Sequence, residues 1–210
     1  MTRYADRTRR LQKLLTDGGW NGLVVSDLIN IRYLTGFTGS NALLAVPAHG
    51  EPTFWTDGRY VDQAKSQVWI DDQRISRRFI EEAKSFGLRG WAAETHVLSV
   101  DNWKGLGELP GARQLVEQLR LTKDVYEIAA LRAACEISTK ALEQLWNEPL
   151  QGQSERDLAL RIETIMRELG ADDRAFDTIV ATGPNSAIPH HEPTDRVVAA
   201  GDFLKIDFGA

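Results

Sequence analysis

Apolar positions along this chain follow two rhythms, one near 3.6 residues and one near two, and they alternate through the first half. Residues 4–16 carry Leu11, Leu14 and Leu15 on one side of a helical period among basic residues, which predicts an amphipathic helix. Asp17-Gly18-Gly19 ends it, because glycine accepts the left-handed conformation that closes helices. Gly22-Leu23-Val24-Val25 predicts a short strand, and residues 41–46 and 52–55 predict two more around the turn-prone Pro47-Ala48-His49-Gly50. Residues 61–68 and 78–85 read as helices and 96–100 as a strand. Such alternation predicts a layered α/β domain whose sheet is mostly covered.

The rhythm changes near Leu121-Thr122. Thr122 is a plausible N-cap, with Asp124 in the first turn at the positive end of the helix dipole. Ile128, Leu131, Cys135, Leu142 and Leu145 then recur near one helical face, which predicts a helix that buries them and stops at Pro149 and Gly152. Ser154 with Asp157 forms an S-x-x-D capping box for a second helix along Leu158, Ile162, Ile165 and Leu169, closed by Gly170. Strands are expected around 178–180 and 203–208. Repeats, low-complexity tracts and long linkers are absent from the sequence, so a compact organisation is expected, divided into residues 1–121 and 122–210.

Charge and composition narrow the partners. A net charge of -5 and a pI near 5.4 argue against nucleic acid or an anionic membrane. The N-terminal segment is highly charged and lacks the apolar core of a signal peptide, and no run of about 18 apolar residues is present. A cytoplasmic protein is therefore expected. The single cysteine, Cys135, cannot form an intrachain disulfide, and its neighbours Ala133, Ala134 and Ile137 predict a buried position. The six tryptophans are expected to anchor cores or interfaces.

Candidate chemistry is concentrated in the last three dozen residues. Asp207 ends the apolar run FLKIDFG, which reads as a buried strand with one acidic group, and a buried carboxylate needs a partner or a metal. Seventeen residues upstream, His190 follows Pro189 in a turn-rich segment. From these residues alone, Asp207 either caps the turn before Gly209 or binds a metal, and His190 is either a loop residue or part of a site. One Asp and one His are too few for a catalytic metal, which takes at least three protein ligands. His190 and His191 are adjacent, so their side chains diverge and cannot readily share one ion, and His191 is expected to stand one layer behind the site or face solvent. His49 and His96 are expected to be ordinary surface or structural residues, and Arg59 in TDGRY a structural ion-pair residue. Two rival motifs fail. His191-Glu192-Pro193-Thr194-Asp195 lacks the second histidine of HExxH and carries a proline that breaks the helix which that motif needs. Asp207-Phe208-Gly209 spells the kinase DFG, but the phosphate-covering glycine loop, its lysine and an HRD loop are missing.

The stretches GPNSAIPHHEPTDR and GDFLKIDFGA resemble the prolidase, aminopeptidase P and creatinase superfamily of "pita-bread" metallopeptidases, and within it bacterial Xaa-Pro peptidases. LRLTKDVYEIAALRAACEIS, SERDLALRIETIMRELGADDRAFDTIVATG, YLTGFTGSNALLAV and FWTDGRYVDQA extend the resemblance over nearly the whole chain in the family's order. The resemblance implies an α/β fold: a creatinase-type N-terminal domain with a mixed sheet, then the first part of an α+β pita-bread catalytic domain. It implies hydrolysis of Xaa-Pro bonds in proline-containing peptides, using two divalent ions (Mn, Co or Zn), with Asp207 the first of five metal ligands. It also implies that His190 lies over the metals, contacts substrate and helps stabilise the tetrahedral intermediate. The other four ligands lie downstream of Asp207 in that family, so this chain alone is expected to be inactive and to hold no stoichiometric metal. A homodimer through the N-terminal domain is implied, with Trp55 or the loop 36–40 as candidates to approach a partner's site. Association with a complementary C-terminal fragment is a further expectation. The alternative is a non-catalytic peptide-binding or dimerisation module of the same superfamily.

Overall fold

Residues 2–112 and 114–210 are described by a computed structural model in which the chain forms two units, Met1–Thr122 and Lys123–Ala210. In the first, helix α1 (Arg3–Asp17) starts at Thr2, whose hydroxyl accepts the amide of Ala5, and buries Leu11 and Leu15, one turn apart on one face. The chain then enters β1 (Gly22–Val25), α2 (Leu28–Thr35), β2 (Ala42–Pro47), β3 (Thr53–Thr56), α3 (Val61–Gln67) and β4 (Gln73–Ile75). Helix α4 (Phe79–Lys84), β5 (Trp91–Ala93), α5 (Val100–Gly105) and α6 (Leu115–Leu121) complete the unit.

The five strands form one sheet in the order β4-β3-β2-β1-β5. The β1–β2 and β2–β3 pairs are antiparallel, and the β1–β5 and β3–β4 pairs are parallel, so the sheet is mixed. Side chains alternate across a pleated strand, and both faces here are covered. Leu23, Val25, Leu44, Val46 and Phe54 pack with Leu11, Leu15, Ile31, Leu34 and Val116 on one side. Val24, Leu43, Ala45 and Trp55 pack with Ala83, Leu88 and Leu106 on the other. Two covered faces explain why β1 reads as a continuous apolar run rather than an alternating one.

Two sequence expectations change, and one helix appears where none is predicted. Residues 96–100 form a turn and the start of α5, and the strand lies at Trp91–Ala93 instead. Helix α2 occupies LINIRYLT, an apolar octet in which helical and strand rhythms cannot be separated; Asp27 caps it and Gly36, at φ +90°, ends it. Trp55 is fully buried and its indole N–H donates to Glu82, so it cannot reach a partner subunit.

The second unit contains α7 (Val125–Trp146), α8 (Glu155–Glu168), β6 (Ile179–Thr182) and β7 (Leu204–Asp207). β6 and β7 form an antiparallel pair that sets Ile179 opposite Asp207 and Ala181 opposite Lys205. Its core combines Ala141 and Leu145 of α7, Leu158, Ile162, Ile165 and Met166 of α8, and Val180. Helix α7 begins later than Thr122 implies: Asp124 is the N-cap and forms a capping box with Glu127. Only the C-terminal half of α7 is buried. Ile128, Leu131 and Cys135 are exposed, contrary to the expectation from their spacing, because the core of this unit meets the helix only from about Ile137 onward. The S-x-x-D box of α8 forms as read, with Ser154 and Asp157 bonding each other's backbone amides. No helix among the described residues is long and apolar enough to cross a membrane.

Candidate active site

The segment between β6 and β7, residues 183–203, carries His190 and turns back so that Asp207 can pair opposite Ile179. Gly183 opens it at φ +52°, and a Cβ there would lie 2.5 Å from the Arg196 guanidinium and 2.8 Å from the Asp202 carboxylate. Those two side chains form an ion pair at 3.1 Å, and Arg196 Nε also donates to Thr182 O. Asp202 in turn accepts from the Ala199 amide and the Thr182 hydroxyl, which together with Arg196 hold its carboxyl below the usual carboxylate range. Only glycine leaves room for this clasp at that backbone conformation.

His190 and Asp207 come together. Both line an open groove of about 640 Å³ whose other walls include Phe176, Thr178, Ile179 and Pro193. Their approach follows from the strand period: Lys205 and Asp207 sit two residues apart on β7 and so point to the same side. The ammonium of Lys205 donates to the carbonyls of Ile188 and Pro189, which fixes the backbone immediately before His190. His190 itself is exposed in the turn at 189–190.

Asp207 is also exposed, not buried. The cost of enclosing a charge therefore gives no reason for a metal at this position. Its place does: a rigid strand end presents an open carboxylate to the groove, and hard oxygen donors suit divalent ions. Asp207 fits a role as one ligand. Among the described residues no group of three or more His, Cys, Asp or Glu is placed to hold a metal, so these residues do not make up a complete donor set.

His191 is not a solvent-facing residue. It is buried, and its Nε2 lies 2.7 Å from Glu155 Oε2. Glu155 is the first residue of α8 and is wholly enclosed. Its Oε1 accepts the Thr182 amide at 2.7 Å and Asn185 Nδ2 at 3.0 Å; its Oε2 also accepts the Thr194 amide at 2.9 Å and the Thr194 hydroxyl at 2.7 Å. Burial alone pushes this carboxyl up. The donors from Thr194, His191 and Thr182 outweigh it and hold the pKa at about 2. An ionised carboxylate only accepts, so Nε2 of His191 carries the proton. Nothing in the sequence singles out Glu155, which sits inside the capping box as an ordinary first-turn acid.

The remaining candidates stay apart from the groove. His49 is exposed. His96 meets Glu117 at 3.1 Å within the first unit. Arg59 forms a two-pronged pair with the buried Asp57, at 2.9 and 2.8 Å, which draws the Asp57 carboxyl far below its usual range.

A covered mixed sheet, followed by a helical pair and an antiparallel strand pair that bring a histidine and an aspartate to one groove, fits a metallopeptidase-type unit preceded by an α/β domain. Comparison with known families agrees. The Creatinase/Prolidase N-terminal domain matches residues 7–125, and Metallopeptidase family M24 matches residues 129–210. The chain belongs to the creatinase/prolidase family of M24 metallopeptidases, and it is similar to the N-terminal portion of its members. It is 33% identical to the uncharacterised peptidase YqhT of Bacillus subtilis, over 97% of this chain and 61% of that protein. Among solved structures, an Xaa-Pro dipeptidase from Bacillus anthracis superimposes with a TM-score of 0.90 at 29% identity, over 99% of this chain and 61% of that one. An X-Pro aminopeptidase from Thermotoga maritima gives 0.82 at 32% identity, over 97% and 60%. The chain thus spans about 60% of the length of the relatives it matches.

Proposed function

We propose that the protein to which this chain belongs is a metal-dependent peptidase cleaving Xaa-Pro bonds. The observation that carries the proposal is the shared groove of His190 and Asp207 in a chain of this family. In this reading Asp207 supplies one carboxylate ligand to a pair of divalent ions (Mn, Co or Zn). The ions, when bound, supply an activated water at neutral pH. His190 binds the substrate at the groove and donates a hydrogen bond to the oxygen on which negative charge develops. A donor aimed at that oxygen helps because the charge is greatest in the transition state. Phe176, Ile179 and Pro193 give the groove an apolar wall suited to a proline ring. The test is hydrolysis of Xaa-Pro against matched Xaa-Ala dipeptides with and without a chelator. Selective, chelator-sensitive cleavage of the proline substrates supports the proposal, and equal cleavage of both sets contradicts it.

A second reading rests on the apolar wall that Phe176, Ile179 and Pro193 give the open groove. In it residues 1–210 act as a peptide-binding or dimerisation module. Binding of a proline-containing peptide by this chain in the presence of a chelator, without cleavage, supports that reading. In either case we propose a homodimer formed through residues 1–121.

A further inference from the structure

We propose that Glu155 is a positioning residue of the groove: it holds the loop that carries His190 from behind, without touching substrate. The catalytic consequence rests on the peptidase reading above, whereas the ordering of the loop does not. A loop of this length, with a single 3-10 turn at Gly183–Ala187, does not fix a side chain unless something organises it. Glu155 does so from both sides of His190. The Thr182 amide and Asn185 bind it upstream, and His191 and Thr194 bind it downstream. Five donated hydrogen bonds saturate a carboxylate that has about four lone-pair sites. Because His191 is drawn inward to Glu155, its neighbour His190 is left exposed at the groove. Glu155 itself lies at the positive end of α8, a rigid element whose Leu158, Ile162 and Ile165 are fully buried, so the anchor does not move with the loop. A positioning group on packed secondary structure is what holds a reacting side chain to within fractions of an ångström.

Glu155→Gln is the informative change. It keeps the size but puts an NH2 group against one of two sets of donors, either Thr182 and Asn185 or His191 and Thr194, so part of the loop must let go. In the active protein, kcat is expected to fall about 10- to 100-fold, the scale of an ångström-sized misplacement, with metal content unchanged. The same substitution in a His190→Ala background should lower kcat less than about twofold, because the group being positioned is already gone. An equal fold loss in both backgrounds would show that Glu155 does not act through His190 and would overturn the proposal. Thr194→Val, which removes one donor and leaves the carboxylate, should give about a threefold loss and serves if Glu155→Gln does not fold. The 210-residue chain supplies the arm independent of catalysis. In Glu155→Gln or Thr194→Val, the amides of Thr182 and Thr194 should exchange faster and the His190 ring resonances should shift or broaden. Unchanged exchange and unchanged His190 resonances in both variants would overturn the inference whatever the substrate proves to be. If those signals do change while the unaltered protein cleaves no Xaa-Pro bond, the peptidase reading alone fails.

Discussion

Acidification should weaken the second unit through one carboxyl group. Glu155 lies at about 2 in the folded chain against an ordinary value of 4.5. A depressed folded-state pKa contributes stability that is fully present above 4.5 and is lost as the pH falls toward 2. Each tenfold difference in proton affinity between the folded and unfolded chain is worth about 1.4 kcal/mol, so the contribution is about 3 kcal/mol. That is a sizeable share of the roughly 5–15 kcal/mol that typically holds a domain together. The structural cause is visible: protonating one oxygen turns a donor toward either Thr182 and Asn185 or His191 and Thr194, all of which already donate. The assay is urea unfolding of the unaltered chain and Glu155→Gln at about pH 7, 4.5 and 2.5, followed by the exchange of amides in α8. Glu155→Gln should be the less stable at neutral pH, and the gap should close by about 3 kcal/mol at the most acid point, because the unaltered chain loses what the variant never had. A gap that stays constant across the three pH values would refute the assignment of Glu155 as an ionised, multiply bonded anchor.

The first unit should respond to pH in the opposite sense. Burial raises Glu94 to about 7, the Glu117 carboxyl adding to it, against the amides of Ser26 and Asp27 and the Asn30 side chain that bind the ionised form. Stability from this group is complete below about 4.5 and lost as the pH rises through 7, so urea midpoints of α1 amides should fall between about pH 4.5 and 7 and level off just above it in the unaltered chain and stay flatter in Glu94→Gln. Ile162→Ala in the core of the second unit should cost about 2–5 kcal/mol by urea unfolding while leaving α1 exchange unchanged; a loss under about 1 kcal/mol would contradict its full burial. Val125, Ile128 and Leu131 leave an apolar stripe exposed on α7, so the chain should associate at micromolar concentration, and Ile128→Lys with Leu131→Lys should reduce that association in sedimentation.

How much of this is legible in the sequence depends on which physical signals are local. The helices at 3–17 and 155–168 can be read directly because their periods, and the cap of the second, are written in adjacent residues: Leu11 with Leu15 in the first, and Ser154 ahead of Leu158, Ile162 and Ile165 in the second. LINIRYLT resists such reading, since a mostly apolar octet has no clear period and only its Asp27 cap and Gly36 stop mark it as helical. The buried stripe expected of α7 holds for one half of the helix. Leu145 is enclosed, while Ile128 and Leu131 show the same spacing and face outward, because spacing says that a face exists and not what covers it. At the groove, the positions of His190 and Asp207 follow from their motif, but the exposure of Asp207 goes with its being the last residue of β7. The roles of Glu155 and His191 arise from a contact between side chains 36 residues apart, which no local rhythm encodes.

The central claim, that His190 and Asp207 serve one metallopeptidase site, is tested most directly by measuring kcat and metal content together in Asp207→Asn and His190→Ala of the protein that carries this chain. Asp207→Asn should lose metal and Xaa-Pro hydrolysis together, whereas His190→Ala should keep its metal and lose about 10²-fold or more in kcat, as expected when one transition-state donor is removed. Full turnover in His190→Ala, or full metal content with full activity in Asp207→Asn, would contradict it.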